Sequence, residues 1–363
     1  MKTLMELVAP ELGALGPYVP HAGRFAVRLD ANEAPPLFSP ETRALLGEEA
    51  ARCAWERYPD ATASELRRAI ATHDGVTPEE VVVGVGSDEL IALLLTVLRV
   101  PRGAAPSARL LTTTPTFVMY RLSARVRGVA VMEVPLDSAW DLAEESLTRA
   151  VEMSPPNLVF IASPNNPTGT MATLERLERL IQVAEGALVV LDEAYIDYAA
   201  SPNAQRALYR KYDNVAILRT LSKVGFAALR VGWLIAAPAL CRELEKARLP
   251  YNLATVSQRL ATVALTRLAE ERARLAASVI GERERVTAAL GGLAGVTATP
   301  SQANFLWVRT ELPAGEVFQG LAERGILVRS FHERGGRLAH QLRVTIGTPS
   351  ENDAFLAALA EVT

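Results

Sequence analysis

The chain has 363 residues, of which 49% are hydrophobic and 22% charged, the composition of an ordinary globular protein with room for a large domain and a smaller one. A net charge of −3 excludes a bulk electrostatic pull toward nucleic acid or an anionic membrane, and the apolar run 90–98 is far too short to span a bilayer. The only cysteines, Cys53 and Cys241, lie far apart without CxxC spacing, and a start carrying Glu6 and Glu11 shows no signal-peptide pattern, so a reducing, cytoplasmic setting is expected.

Residues 1–24 read as a short helix-like start and a Pro/Gly-rich arm through Gly16, Pro17, Pro20 and Gly23. A brief strand and a turn follow at 27–36, where Pro35 and Pro36 forbid continuing a ladder. Arg57-Tyr58-Pro59-Asp60 is a loop, because a residue before proline is pushed out of the α region. Ser64 then caps a helix over 65–72. Valines 81, 82, 83 and 85 make a buried strand, and Gly86-Ser87-Asp88-Glu89 opens the helix after it. Free N–H groups and the dipole at that start suit an anion, although Ser or Asp there is also an ordinary N-cap. Gly84-x-Gly86 lacks the third glycine of a dinucleotide fingerprint.

Strands at 108–113, 129–134, 157–162, 187–191, 214–218 and 232–237 alternate with helices at 142–153 and 174–184 and one entered past Phe117. This is the pattern of a mostly parallel α/β sheet with helices on both faces. The polar stretches fall at the carboxyl ends of its strands, the edge where open α/β sheets bind ligands. A helical stretch over 239–290, broken at 251–254, leads to a smaller α+β layer. Its strands are expected at 296–299, 303–308, 326–329 and 342–346, and its helices at 317–324 and 351–361. No internal repeat or low-complexity segment occurs.

The chemistry centres on Lys223, which follows the strand at 214–218. A lysine amine is nucleophilic only when deprotonated, and a desolvated or cation-rich pocket favours that form. Such a lysine forms a Schiff base with an aldehyde cofactor, while Thr220, Ser222 and Arg230 are donor types that hold a phosphate. Asp192 ends a buried strand and suits the nitrogen of a pyridine ring. Tyr195 and Asn166 suit a ring oxygen, Phe117 a stacking position, and Ser87 and Asp88 the phosphate. Each has a plainer reading on its own, as a strand-end turn, a β-turn or a cap. His21, His73, His332 and His340 show no metal spacing, and no metal is expected.

Ser163-Pro-Asn-Asn-Pro-Thr-Gly169, Leu191-Asp-Glu-Ala-Tyr195 and Thr220-Leu-Ser-Lys223 with Arg230 resemble the signatures of fold type I pyridoxal-phosphate aminotransferases. The chain from about 15 to 355 resembles the histidinol-phosphate aminotransferase family, through Pro17-Tyr18, Leu29-Asp-Ala-Asn-Glu33, Arg57-Tyr-Pro-Asp60, Gly86-Ser-Asp-Glu89, Gln302-Ala-Asn-Phe305, Val328-Arg329 and Leu342-Arg-Val-Thr-Ile-Gly-Thr348. The resemblance implies an arm at 1–30 packed on the small domain, a large cofactor-binding domain at 31–255 and a small domain at 256–363. It implies pyridoxal 5′-phosphate, with Lys223 as Schiff base and proton shuttle, Asp192 on the pyridine nitrogen, and Asn166 and Tyr195 on the ring oxygen. Ser87, Asp88, Thr220, Ser222 and Arg230 would bind the cofactor phosphate. Tyr58 would reach the partner's cofactor in a homodimer. Arg329 and Arg343 would grip the anionic end of the substrate, with Tyr18 and Asn166 assisting. The implied reaction is transamination between L-histidinol phosphate and 2-oxoglutarate. A threonine-phosphate decarboxylase, an aromatic or broad-range aminotransferase, and a non-catalytic binding protein remain as alternatives on the same fold. Two departures stand out: phenylalanine at 117, where relatives commonly carry tyrosine, and an interval from Lys223 to Arg230 one residue shorter than usual.

Overall fold

The structure, a computed structural model, describes residues 4–13, 16 and 23–363. In chain order the strands are β1 (Val27–Arg28), β2 (Val81–Val85), β3 (Arg109–Thr114), β4 (Ala130–Pro135), β5 (Leu158–Ala162), β6 (Leu188–Asp192), β7 (Val215–Thr220), β8 (Val231–Ile235), β9 (Val296–Thr299), β10 (Phe305–Thr310), β11 (Ile326–Leu327), β12 (Arg329–Ser330) and β13 (Gln341–Thr345). The α-helices are α1 (Pro40–Ala51), α2 (Ser64–Asp74), α3 (Gly86–Val97), α4 (Val118–Val126), α5 (Glu144–Met153), α6 (Leu174–Val183), α7 (Arg206–Lys211), α8 (Pro238–Ala247), α9 (Thr255–Thr266), α10 (Ala269–Leu290), α11 (Ala314–Glu323) and α12 (Pro349–Val362).

Seven strands form the main sheet in the order β2-β8-β7-β6-β5-β3-β4. The β4-β3-β5-β6-β7 pairings are parallel, and β8 runs antiparallel between β7 and β2. β5 shows why its apolar run needs a sheet covered on both faces. Leu158 and Phe160 pack on one side with Leu90 and Leu94 of α3, whereas Val159 and Ile161 pack on the other with Leu177 and Ile181 of α6. Each such side chain, fully buried, is worth about 1.5–3 kcal/mol. A second sheet runs β12-β13-β10-β9, antiparallel throughout, and β1 pairs in parallel with β11. The segment before residue 30 is thereby joined to the C-terminal part of the chain. One core cluster is continuous from α2 and β8 through α9 and α10 to β10, β13 and α12.

Several local readings change. Ser64 does not cap α2: the left-handed residue Ala63 (φ 46°) precedes the helix, and the Asp60 carboxylate accepts from Ser64 N at 2.8 Å and Ser64 Oγ at 2.6 Å. These donors hold the Asp60 carboxyl far below the usual range. Helix α1 was not anticipated, although Ser39 accepts from Thr42 N at 3.1 Å and Pro40 opens the helix. Short α7 was also missed. The helical stretch breaks a second time between α9 and α10. The strand expected over 303–308 begins at Phe305, because Ser301 Oγ bonds the Phe305 carbonyl and the Ala303 N–H, holding a turn. The strand expected over 326–329 divides between two sheets at buried Val328.

Candidate active site

The carboxyl edge of the main sheet borders a cavity of about 290 Å³, closed from the other side by β12, β13 and the β12–β13 connection. The carboxyl ends of β2, β6 and β7 bring Ser87 and Asp88, Asp192 and Tyr195, and Thr220, Ser222 and Lys223 to it, and Phe117 and Asn166 come from the turns after β3 and β5. Arg230 arrives from the start of antiparallel β8, and Arg329 and Arg343 from the second sheet. Tyr58 does not line it; it is 83% exposed and stacks on Tyr251 with centroids 5.0 Å apart. Tyr18 and His21 lie outside the described residues.

At the closed end, Asp192 Oδ2 accepts from Tyr120 Oη at 2.6 Å and Oδ1 from the Ala194 N–H at 3.0 Å. Burial nevertheless raises its pKa from 3.8 to about 6, since desolvation outweighs both bonds and the nearby Lys223 charge. Lys223 Nζ sits 5.8 Å from the Tyr195 ring centroid. The Lys223 backbone carbonyl accepts from buried Tyr198 Oη at 2.5 Å. Tyr195 Oη accepts from Asn32 Nδ2 at 2.9 Å, which leaves the phenolic proton free for a ligand oxygen. Asn165 turns inward to Thr116, Pro115 and Thr168, so its neighbour Asn166 faces the cavity and accepts from Arg343 Nη1 at 2.7 Å.

The other end is a cup. Helix α3 begins at Gly86 (φ 71°), whose N–H donates to the Arg230 carbonyl at 2.9 Å. A Cβ on Gly86 would meet Arg230 Nη2 at 2.7 Å, and one on Gly232 would meet Gly86 C at 2.6 Å and Ser87 N at 2.7 Å. The two glycines let helix start, guanidinium and strand converge. Arg230 Nη1 lies 3.4 Å from Ser222 Oγ, which is 2.9 Å from Thr220 Oγ1. The seven-residue interval from Lys223 therefore still delivers Arg230 to the cup.

Below the site runs a buried ionic network. Arg219 bonds Glu193 Oε2 at 2.8 Å and Asp74 Oδ1 at 2.6 Å, and Asp74 also accepts from Arg206 at 2.7 Å and Trp233 Nε1 at 2.6 Å. It ties α2 to β7, β8 and the residue after Asp192. Tyr120, Asn32, Tyr198, Phe331 and Arg334 are site or supporting residues that the sequence reading did not single out. Asn32 lay within a quoted motif and Tyr120 three residues after Phe117, but their partners are 163 and 72 positions away. Among the described residues, no group of three or more His, Cys, Asp or Glu could hold a metal ion. No described helix is long and apolar enough to cross a membrane.

The residues present fit pyridoxal 5′-phosphate. A buried carboxylate with a raised pKa favours a cationic ring nitrogen beside it, an amine stands within the same cavity, and a glycine-lined cup with helix N–H groups and a guanidinium suits a phosphate.

Comparison with known proteins agrees. The family described as aminotransferase class I and II matches residues 26–359. A curated histidinol-phosphate aminotransferase of Chromobacterium violaceum is 38% identical over 359 residues, 98% of either chain. That of Aquifex aeolicus is 39% identical over 339 residues, 93% of this chain and 92% of its own. The crystal structure of histidinol-phosphate aminotransferase from Sinorhizobium meliloti in complex with pyridoxal-5′-phosphate superposes with a TM-score of 0.84 at 26% identity, covering 97% of this chain and 96% of that one. The chain belongs to the class I and II aminotransferase family.

Proposed function

We propose that this protein transfers the amino group of L-histidinol phosphate to 2-oxoglutarate, giving imidazole acetol phosphate and L-glutamate, with pyridoxal 5′-phosphate as cofactor. The observation that carries the reading is one cavity lined by Lys223 and Asp192 and by the arginines Arg329, Arg334 and Arg343. Curated relatives of that name, aligned over nearly the whole chain, support the substrate.

The bound cofactor supplies an electron-withdrawing ring that accommodates negative charge from the substrate's α-carbon. In our reading Lys223 Nζ would hold the cofactor and, once displaced by the donor's amine, would take the α-proton and hand it on to the cofactor rather than back to the α-carbon. Asp192 keeps the ring nitrogen protonated, and that cation in turn favours the ionised carboxylate. Tyr195 and Asn166 bond the ring oxygen, Phe117 stacks on the ring, and Ser87, Asp88 (through backbone N–H groups), Thr220, Ser222 and Arg230 hold the phosphate.

Arg329 and Arg343 are direct cross-strand neighbours on β12 and β13. Like charges placed so are destabilising, and an anion between them turns the cost into affinity. They therefore suit the phosphate of one substrate and a carboxylate of the other, with Tyr18 and Asn166 assisting. The enzyme acts as a homodimer in this reading, exposed Tyr58 reaching the partner's cofactor, and its two domains meet near residue 255.

Purified, cofactor-loaded protein given L-histidinol phosphate and 2-oxoglutarate should form glutamate. Threonine phosphate should release no carbon dioxide, and aromatic amino acids should be poor donors. Carbon dioxide release without glutamate would replace the reading with a decarboxylase.

A further inference from the structure

Besides Arg329 and Arg343, the small layer sends Phe331 and Arg334 into the cavity wall, both from the connection between β12 and β13. That connection is clasped at two points. The Phe331 ring packs edge-on against Trp307, centroids 4.9 Å apart. The Arg337 guanidinium lies 3.8 Å over the Trp140 ring and donates to the Leu136 and Asp137 carbonyls at 2.7 Å each. Arg334, between the two clasps, is thus presented by an anchored loop.

Its guanidinium has no hydrogen bond or ion pair among the described residues, whereas Arg337 is committed to carbonyls and Arg343 to Asn166 and the Asp30 carbonyl. Partial burial and the charges of Arg121 and Arg329 hold its pKa below the usual arginine value, with only Glu133 opposing them. Glu133 is already engaged by Arg121 at 3.5 Å. A partly desolvated cation facing two others lacks an anion.

We propose that Arg334 is a specificity residue that recognises the phosphate of the amino donor, as a third guanidinium beside Arg329 and Arg343. This rests on the substrate reading above. A phosphate monoester carries about −1.5 to −2 charges at pH 7 and three acceptor oxygens, more than a carboxylate has, so a third fork adds far more to a phosphate donor than to glutamate.

The test compares wild type, Arg334→Gln and Arg334→Lys as cofactor-loaded enzymes, with L-histidinol phosphate, L-histidinol and L-glutamate as separate donors. Losing one charge-assisted bond predicts a fall of about 10- to 100-fold in kcat/KM for histidinol phosphate in Arg334→Gln, carried mainly by KM. Histidinol and glutamate should change less than about 3-fold, and Arg334→Lys should lie between, because it keeps the charge and loses the fork. An unchanged value for histidinol phosphate, or an equal fall for glutamate, overturns the proposal. If wild type does not prefer histidinol phosphate to histidinol, the substrate reading fails by itself. Competition by inorganic phosphate against glutamate then decides Arg334 separately: about 10-fold weaker inhibition in Arg334→Gln supports a phosphate subsite, and unchanged inhibition removes it.

Discussion

Asp192 shows how much one buried carboxyl is asked to bear. Its pKa rises from 3.8 to about 6 on folding, so the native state binds its proton more tightly than the unfolded chain does. The group is neutral in both states below about pH 4. Stability falls as pH rises through the window from about 4 to 6, by about 3 kcal/mol once both states are ionised. Asparagine keeps the acceptor for Tyr120, gives up the bond from the Ala194 N–H, and has no charge to bury, the last being the larger effect. Cofactor-free Asp192→Asn should therefore unfold at higher urea than wild type at pH 7.5, with the gap closing by pH 4, while its affinity for pyridoxal phosphate drops. Equal urea midpoints at pH 7.5 would contradict the burial argument. Lys223, Asp192, Asn166 and Tyr195 were legible as candidates, because few side chains suit an aldehyde, a pyridine nitrogen and a phenolic oxygen, and the fold brings all four to one cavity. Tyr120 and Asn32 were not, since each acts on a residue that only the fold brings near.

Among elements, the junction of α3 with β8 forms the cup proposed for the cofactor phosphate. Helix and strand approach so closely at Gly232 that a methyl group there would stand 2.6 Å from the Gly86 carbonyl carbon. The atoms it would meet are all backbone, so the helix start itself must shift. Gly232→Ala should cost about 1–3 kcal/mol of stability and weaken cofactor binding at least about tenfold, as read by urea unfolding and by absorbance titration with pyridoxal phosphate. Unaltered cofactor affinity would mean that the helix start does not hold the phosphate. The main-sheet strands were readable to within a residue or two, most plainly β5, β6 and β7, because buried parallel strands carry continuous apolar runs bounded by polar turns. Helix α1 was not: its Glu49 is buried by ion pairs to Arg259 at 2.5 Å and Arg267 at 2.8 Å, so no clean apolar face marks it. The cap of α2 was misread because Asp60 reaches over a left-handed alanine, a local geometry that composition does not announce.

At the scale of the whole molecule, exposed Tyr58 beside Trp55, 83% and 72% accessible, belongs to a face that the single chain leaves open. If Tyr58 completes the partner's site, Lys223→Ala and Tyr58→Ala proteins that are each weak or inactive should regain activity when denatured and refolded together. Hybrid dimers then hold one site with both residues intact. Activity no greater than the sum of the two parents would place Tyr58 outside the partner's site. The order of strands and helices, the carboxyl-edge placement of the polar turns and the choice of Lys223 and Asp192 were determined by the sequence itself, since periodicity and side-chain chemistry are local properties. The meeting of Arg329 with Arg343, the approach of Asn32 to Tyr195 and the delivery of Arg334 to the cavity were decided only by tertiary structure. Each joins segments whose separation along the chain carries no energy, and which acquire one only when packing excludes water between them.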